Sequence, residues 1–205
     1  MEKGFLIVIE GIDGAGKSTQ AEILINRLQK RGFDVVYFRE PSGSRWGREI
    51  KRKALSPDSI TPEEELELFQ RDRKENVEKN LRPALERNKI VVLDRYYFST
   101  IAYQGAKGID EERIKRINEE FAVEPDLVFI LDIDPQQGLE RIKNRRKKDK
   151  LFERADYLTR VRRIFRGFKG KKFIHIDARM PKEAISARIE KHALNLIGVR
   201  LPKLR

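Results

Sequence analysis

Short runs of apolar residues alternate along this chain with longer segments in which apolar positions recur every three or four residues. Five runs are nearly continuous and fit strands that are buried on both faces: residues 5–9, 35–38, 90–93, 127–131 and 173–176. The intervening segments have helical periodicity, as in the first of them, where the apolar positions are Ala21, Leu24, Ile25 and Leu28. Strands that alternate with helices predict an α/β fold with a doubly wound, five-stranded parallel sheet flanked by helices.

Helix start and stop signals place the boundaries of the helical segments. The first helix is expected to end near Arg31, because Gly32 suits the position just past a helix end. A long helix is expected to begin at Thr61, with Pro62 in its first turn, and Pro83 should kink or divide it. The other expected elements are helices over about 47–55, 110–122, 135–147, 155–167 and 181–197, and a basic tail over 198–205.

The loop between the first strand and the first helix carries the clearest chemical signal. Its sequence is Gly11-Ile12-Asp13-Gly14-Ala15-Gly16-Lys17-Ser18, which matches the phosphate-binding loop of P-loop proteins. Glycines let backbone N–H groups close around phosphate oxygens, Lys17 reaches the β- and γ-phosphates, and Ser18 can hold Mg²⁺. A glycine-rich turn that only joins a strand to a helix is the alternative, and the full spacing disfavours it. The sequence therefore predicts a site for a nucleoside triphosphate.

Composition limits the remaining possibilities. The 205 residues suit a single domain over 1–205, and the absence of cysteine excludes disulfides, thiolate metal sites and thiol nucleophiles. Lysine and arginine outnumber acidic residues by 45 to 33, a net charge of +12 that suits either a nucleic acid or an anionic small molecule. No nucleic-acid-binding signature accompanies the charge, so no specific nucleic acid partner is expected. No apolar run has the length of a membrane span, and a cytoplasmic location is expected.

Charged and aromatic residues follow or flank the predicted strands. Asp94 ends the third strand and is typical of a carboxylate that orients Mg²⁺, while Arg95 beside it can neutralise a phosphate. A surface pair between these two side chains is the alternative.

Phe69 and Arg73 share one face of the long helix, and together they suit a flat nucleobase. Taken alone, they are better explained by Phe69 packing in the core and Arg73 lying in solvent.

Four segments read together show a resemblance to a known family. Glu10-Gly11-Ile12-Asp13-Gly14-Ala15-Gly16-Lys17-Ser18-Thr19-Gln20, Arg39-Glu40-Pro41, the Phe69 and Arg73 pair, and residues 94–105 closely resemble thymidylate kinases, and the likeness runs from about residue 5 to about residue 190. The resemblance implies a P-loop NTPase fold of the nucleoside monophosphate kinase type, with a lid at about 141–154. It also implies a homodimer that transfers the γ-phosphoryl group of ATP to dTMP with Mg²⁺.

The resemblance assigns roles to individual residues. The residues implied for ATP are Gly11, Ile12, Asp13, Gly14, Ala15, Gly16, Lys17, Ser18, Thr19 and Arg141. Those implied for dTMP are Asp13, Arg39, Phe69, Arg73, Arg95, Ser99, Thr100, Tyr103 and Gln104. Bulk at Tyr103 would disfavour a ribose 2′-hydroxyl. Mg²⁺ would be held by Ser18 and Asp94, and the catalytic residues would be Lys17, Asp13, Arg95, Lys150, Arg145 and Arg146.

Two segments depart from the family pattern. The phosphate loop has no arginine after Asp13, so the resemblance implies that the lid supplies the catalytic cation. Family members without an arginine in the phosphate loop usually have Asp-Arg-x-Glu in the lid, whereas this chain has Asp149-Lys150-Leu151-Phe152-Glu153. The candidates for the catalytic cation are therefore Lys150, Arg145, Arg146 and Arg154. Arg39-Glu40-Pro41-Ser42-Gly43-Ser44 replaces the usual Glu-Pro-Gly-Gly-Thr pattern, and a serine for glycine at Ser42 can change how closely the backbone approaches a phosphate.

Two other functions are compatible with the sequence. The first is phosphorylation of a different nucleoside monophosphate or of a deoxynucleoside. The second is a nucleotide-dependent regulator that binds nucleic acid, which the charge of +12 suggests. A guanine-binding switch would carry an Asn-Lys-x-Asp motif, which this sequence lacks.

Overall fold

Five parallel strands form the centre of the protein. The computed structural model describes residues 4–55, 60–142 and 149–200, without the side chains of 149–154 and 199–200. The strands are β1 (Phe5–Gly11), β2 (Val35–Arg39), β3 (Ile90–Asp94), β4 (Leu127–Asp132) and β5 (Phe173–Asp177). They form one sheet in the order β2-β3-β1-β4-β5, with every neighbouring pair parallel. The prediction of a doubly wound, five-stranded parallel sheet is confirmed.

Helices connect successive strands within the described segments. They are α1 (Lys17–Lys30), α2 (Arg45–Lys53), α3 (Pro62–Asn76), α4 (Arg82–Glu86), α5 (Tyr97–Gly105), α6 (Glu111–Glu119), α7 (Pro135–Ile142), α8 (Asp149–Gly167) and α9 (Lys182–Arg200). None of these helices is both long and apolar enough to cross a membrane.

Most helix predictions agree with the structure, and three points need correction. Helix α5 was not predicted at all, and α8 begins six residues before the predicted start at residue 155. The predicted tail is wrong at residues 198–200, which belong to α9, whereas residues 201–205 lie outside the described residues. Residues 143–148, which include the end of the helix predicted over 135–147, also lie outside them.

The long helix is divided before its proline, as predicted. Thr61 and Glu64 form a capping box, in which the Glu64 N–H donates to the Thr61 hydroxyl at 3.3 Å and the Thr61 N–H donates to the Glu64 carboxylate at 2.8 Å. A wider π-helical turn, Val77–Leu81, follows α3, and Pro83 lies in the first turn of α4. Because proline has no N–H, it is tolerated where a helix begins. The chain thus passes from α3 through the π-helical turn and α4 to β3.

The central strands are buried on both faces. Leu6, Ile7, Val8 and Ile9 of β1 have no exposed surface, and all of β3 is buried as well. Each fully buried aliphatic side chain contributes about 1.5–3 kcal/mol. The register pairs Ile9 with Asp94, so the carboxyl ends of β1 and β3 meet at one edge. In open α/β sheets ligands bind at this edge.

Candidate active site

The phosphate loop packs tightly against α7 through two glycines. Gly14 has a φ of +81°, and a Cβ there would lie 2.0 Å from the carbonyl oxygen of Gly138 on α7. A Cβ on Gly138 would in turn lie 2.6 Å from the carbonyl oxygen of Asp13. Side chains essentially never approach backbone oxygens so closely, so both positions require glycine. This close contact holds the backbone of the loop between β1 and α1 against α7.

Lys17 lies in the first turn of α1 and is directed back into the loop. Its ammonium donates a hydrogen bond to the carbonyl oxygen of Ile12 at 2.8 Å, and the residue is 7% exposed. Burial, with a smaller effect from the nearby Arg95 guanidinium, lowers the pKa of Lys17 to about 7. Phosphate anions close to this ammonium would stabilise its charged form.

Asp94 and Ser18 form a pair that fits Mg²⁺. Asp94 is fully buried at the end of β3, and the Ser18 hydroxyl donates to its Oδ2 at 2.5 Å. The Tyr37 hydroxyl donates to the same oxygen at 3.2 Å, whereas the buried Oδ1 has no hydrogen-bond partner among the described residues. The described residues contain no cluster of three or more acidic, histidine or cysteine ligands. Mg²⁺ needs only one or two protein oxygens when phosphates complete its shell, so this pair suffices.

Arg95 joins the phosphate loop to the next helix. It has a φ of +69°, a left-handed conformation that non-glycine residues adopt rarely and often at functional sites. Its guanidinium donates to Asp13 at 2.6 Å and to the Ser99 hydroxyl at 3.3 Å, and it lies 5.3 Å from the centre of the Tyr103 ring. Arg95 thus pairs with Asp13 and not with its neighbour, so the alternative of a surface pair is wrong.

Glu10 is a site residue that the sequence analysis left without a role. It is fully buried at the end of β1, and one carboxyl oxygen accepts the backbone N–H groups of Tyr96 at 2.7 Å and Ser99 at 3.1 Å. The other oxygen bonds the Ser99 hydroxyl at 2.5 Å. Burial raises the pKa of Glu10 to about 7. An acidic residue that directly follows an apolar strand run, just before the phosphate loop, is the signal that could have found it.

A cavity of about 300 Å³ opens beside the phosphate loop. Eight of the nine residues predicted for dTMP are among those that line it: Asp13, Phe69, Arg73, Arg95, Ser99, Thr100, Tyr103 and Gln104. The ninth, Arg39, is not. Its Nε lies 3.8 Å from the Asp94 Oδ2, and its side chain is more than half exposed. The structure therefore brings together residues from the loop, α3 and α5 around one cavity that is open on one side.

Arg73 closes one end of the cavity and is almost completely buried, with 1% of its surface exposed. Its Nε donates to Glu40 at 2.8 Å, its Nη1 to Asn118 at 2.6 Å, and its Nη2 to the Thr100 hydroxyl at 2.9 Å. Burial raises the pKa of the Glu40 carboxyl, although the Arg73 charge opposes the rise. The interpretation of Arg73 as a solvent-exposed helix residue is wrong.

Gln104 lines the cavity, and its side-chain amide is held in one orientation. Its Nε2 donates to the Glu65 carboxylate at 2.7 Å, and the same carboxylate forms an ion pair with Lys107. Because a carboxylate only accepts, this contact fixes the orientation of the amide. The other amide atom, Oε1, is buried and has no partner in the described structure. A buried unpaired acceptor costs about 1–3 kcal/mol, which a ligand donor would offset.

Some lining residues carried no clear signal in the sequence. Lys51 of α2 brings a further cation to the cavity, and its ammonium donates to the Ser42 carbonyl oxygen at 3.2 Å. Tyr157 of α8 also lines the cavity. Both residues lie on helices whose placement against the cavity depends on tertiary packing. Because Lys51 lies in a run of basic residues, the sequence does not distinguish it from a lysine on a solvent-exposed helix face.

The unusual serines of the loop after β2 bind α3. Asp72 accepts hydrogen bonds from the Ser42 N–H at 2.8 Å, the Ser42 hydroxyl at 2.6 Å and the Ser44 hydroxyl at 2.6 Å. Ser44 also caps α2, since its hydroxyl accepts the Gly47 N–H at 3.0 Å. The serine hydroxyls therefore hold the loop in place beside the cavity.

The residues predicted for the ATP side are less fully described. Arg141 lies in the last turn of α7, where its Nη2 donates to the Ala178 carbonyl oxygen at 2.9 Å, and Thr19 is exposed in the first turn of α1. Arg145 and Arg146 lie outside the described residues, as does the side chain of Lys150. Most of the lid predicted over 141–154 is therefore not described.

The phosphate loop and the cavity lie side by side at one sheet edge, with Arg95 in contact with both. Such a site can hold a phosphate donor against a second, smaller anionic ligand, and this arrangement defines a phosphotransferase of the P-loop nucleoside monophosphate kinase class. The family model described as thymidylate kinase matches residues 9–189. The chain belongs to the thymidylate kinase family.

Curated proteins similar to the chain come from distant organisms. It is 43% identical over 186 residues to the "Probable thymidylate kinase" of Archaeoglobus fulgidus, an alignment covering 91% of this chain and 93% of that protein. It is 45% identical over 183 residues to the thymidylate kinase of Brachyspira hyodysenteriae, with 89% and 90% covered. It is 46% identical over 189 residues to that of Akkermansia muciniphila, with 92% and 91% covered. The similarity thus extends far beyond the phosphate loop.

Proposed function

We propose that this chain transfers the γ-phosphoryl group of ATP to dTMP and releases dTDP and ADP. The observation that carries the proposal is the cavity of about 300 Å³ that adjoins the phosphate loop at Asp13 and is lined by Phe69, Arg73 and Gln104. Family membership supports both the donor and the acceptor.

The polar groups of the cavity match a pyrimidine with an N–H at position 3. Thymine presents that N–H between two carbonyl oxygens. The unpaired Oε1 of Gln104 supplies the acceptor that such a donor needs, and Arg73 supplies N–H donors nearby. Phe69 supplies a flat apolar surface for the ring. Cytosine has an acceptor at position 3 and would leave Gln104 unpaired, so the cavity favours thymine over cytosine.

Cations at the junction of the two sites support in-line transfer. Lys17 and the backbone N–H groups of the loop would bind the donor phosphates, while Arg95 and Lys51 would hold the acceptor phosphate. An oxygen of the acceptor phosphate attacks the γ-phosphorus, and the bond from phosphorus to the β–γ bridging oxygen breaks. Phosphoryl transfer asks mainly for alignment and for neutralisation of charge, and these side chains supply both.

We propose that Ser18 and Asp94 hold Mg²⁺, since the buried Asp94 Oδ1 has no hydrogen-bond partner in the described part of the chain. Mg²⁺ held there would neutralise negative charge on the donor phosphates. We also propose that a cation from Lys150, Arg145 or Arg146 completes the site, because the phosphate loop itself has no arginine.

Three broader features belong to the same proposal. We propose that residues 1–205 form one domain, that two copies form a homodimer, and that the enzyme acts in the cytoplasm, where its nucleotide substrates are found. The family resemblance supports the homodimer.

A panel of acceptors tests the proposed function. We expect a coupled ADP-release assay with ATP and Mg²⁺ to show fastest turnover of dTMP, with dCMP at least about 100-fold poorer in kcat/KM because Gln104 would lose its partner. The panel should also contain dUMP, UMP, CMP, GMP, AMP and thymidine. Preference for another acceptor would contradict the assignment of the cavity, and the absence of any turnover would contradict the kinase itself.

Proton uptake on ATP binding follows from the pKa of Lys17. In the free protein that pKa is lowered to about 7, and bound phosphates will raise it because they favour the charged form. Above pH 7 the complex therefore holds a proton that the free protein lacks, so binding takes up to about one proton and affinity falls as the pH rises.

Calorimetry can measure this uptake at about pH 8.5, where phosphate groups are already fully ionised. ATP binding should be compared in two buffers with different ionisation enthalpies. The Lys17→Met variant is the control and should show no such uptake. Proton release by the unmodified protein, or an affinity that rises with pH, would contradict the prediction.

A further inference from the structure

Tyr157 attaches helix α8 to the acceptor cavity. Its hydroxyl donates a hydrogen bond to the backbone carbonyl oxygen of Tyr103 on α5 at 2.8 Å. The two rings also meet edge to face, with centres 6.1 Å apart and planes at 72°. Tyr157 is half-buried and lines the cavity together with Tyr103. One tyrosine on α8 thus contacts both the backbone and the ring of another on α5.

Tyr103 occupies the part of the cavity nearest the phosphate loop. Its hydroxyl donates to Asp13 at 3.4 Å, and the Arg95 guanidinium lies 5.3 Å from the centre of its ring. Burial raises the pKa of Tyr103 to about 12, so the hydroxyl stays neutral and can donate. Between a base near Gln104 and a phosphate near Arg95, the sugar of an acceptor would lie against this ring.

Further contacts hold α8 where it is. Arg160 donates to the Ala106 carbonyl oxygen, just past the end of α5, at 3.4 Å. The Nε and Nη2 of Arg162 donate bidentate hydrogen bonds to the Asp132 carboxylate at the end of β4, at 2.6 and 3.0 Å. Arg166 donates a hydrogen bond to the same carboxylate at 2.7 Å. Bidentate contacts between arginine and carboxylate fix geometry well. Helix α8 is therefore a rigid support from which Tyr157 can hold Tyr103.

We propose that Tyr157 is a positioning residue for sugar selection. By holding Tyr103 in place, it prevents the cavity wall from moving away to admit the 2′-hydroxyl of a ribose acceptor. The inference rests on the proposed function. A pocket rejects one extra oxygen only if its wall cannot move away, since hydrophobic contact alone discriminates weakly against an added hydroxyl. The hydrogen bond from Tyr157 to the backbone of Tyr103 restrains that movement.

The Tyr157→Phe variant tests the proposal because it removes the hydroxyl and keeps the ring. The measurement is kcat/KM for dTMP and for its ribose analogue, 5-methyluridine 5′-monophosphate. We expect the ratio of deoxyribose to ribose acceptor to fall by about three- to tenfold, the effect of one neutral hydrogen bond. Tyr97→Phe is the matched control, because it makes the same change on α5 at a residue that does not line the cavity.

The ratio of two kcat/KM values from one preparation does not depend on the fraction of protein that is folded. A merely structural role for Tyr157 would lower both values equally, and an unchanged ratio would overturn the proposal. A fall of the same size in Tyr97→Phe would also overturn it. Turnover of dTMP by the unmodified enzyme separately tests the proposed function, and equal use of both sugars by that enzyme would contradict the proposal alone.

Discussion

Replacement of Lys17 with methionine is expected to lower kcat/KM for ATP by on the order of 10³-fold, the largest effect of any single change considered. The ammonium lies within the phosphate loop, where it bonds the Ile12 carbonyl oxygen at 2.8 Å and can turn to donor phosphates. Charge develops on the transferring group in a site from which water is largely excluded, so a fixed cation there contributes more than it would in solution.

The same substitution should leave the stability of the fold nearly unchanged. Lys17 is buried and its pKa is lowered to about 7, mainly by burial, so the free protein bears a cost for holding the charge. Methionine has a similar length and carries no charge. The melting temperature without nucleotide should therefore equal or exceed that of the unmodified protein, while stabilisation by added ATP should be smaller but still measurable.

The control is Lys30→Met, which removes an exposed lysine from the last turn of the same helix. We expect its kcat/KM to change less than about twofold, since an exposed charge far from the reacting groups contributes little. A loss below about tenfold in Lys17→Met would contradict the assignment of Lys17 to the donor phosphates. The activity and the melting temperature should be measured on the same preparations.

The sheet could be predicted because its signals are local. Runs such as Ile90-Val91-Val92-Leu93 are too apolar and too short for anything except a strand buried on both faces, and helical patterns between them leave only parallel pairing. The phosphate loop is local too, since all of its contacts to phosphate come from one segment. These features need no knowledge of the rest of the chain.

Helix α5 was missed because its N-terminal support is not local. It begins at Tyr97, and its N-cap residue, Tyr96, makes no side-chain capping bond; the backbone N–H groups of Tyr96 and Ser99 bond instead to Glu10. That carboxyl is 86 residues away from Tyr96 in sequence. A cap supplied by another strand leaves no trace near the helix that it stabilises.

The surroundings of Arg73 could not be predicted for the same reason. The sequence placed it on a helix face with Phe69, but its partners Glu40, Asn118 and Thr100 come from three other segments. They lie 33, 45 and 27 residues away. Helical spacing tells which residues share a face but not which surface that face meets. The family resemblance supplied the role, and the structure supplies the contacts.

Replacement of Arg73 with methionine is expected to destabilise the protein by about 3–5 kcal/mol and to lower kcat/KM for dTMP by about 100-fold or more. The loss of stability arises because Glu40, which is 2% exposed, would be left as a buried charge without its partner. The loss of activity is expected because Arg73 lines the cavity and, in the proposed function, supplies N–H donors to the base. Chemical denaturation and steady-state kinetics measure the two effects separately.

A second substitution distinguishes the two causes. Adding Glu40→Gln to Arg73→Met removes the unpaired charge, and we expect the double variant to recover most of the lost stability because a neutral amide costs far less to bury. The activity with dTMP should stay low, since the donors are still missing. If activity returned together with stability, Arg73 would support the fold without contacting the acceptor.

Arg71→Met is the matched control on the same helix. Its guanidinium is half-exposed and forms an ion pair with Glu67 in the next turn, so removal should change stability by less than about 1 kcal/mol and leave the dTMP kinetics unchanged. A loss of stability in Arg73→Met no larger than in this control would show that the buried pair with Glu40 does not hold α3 to the loop after β2. Affinity for ATP should be unchanged in all three variants, because each substituted side chain lies on the acceptor side of the phosphate loop.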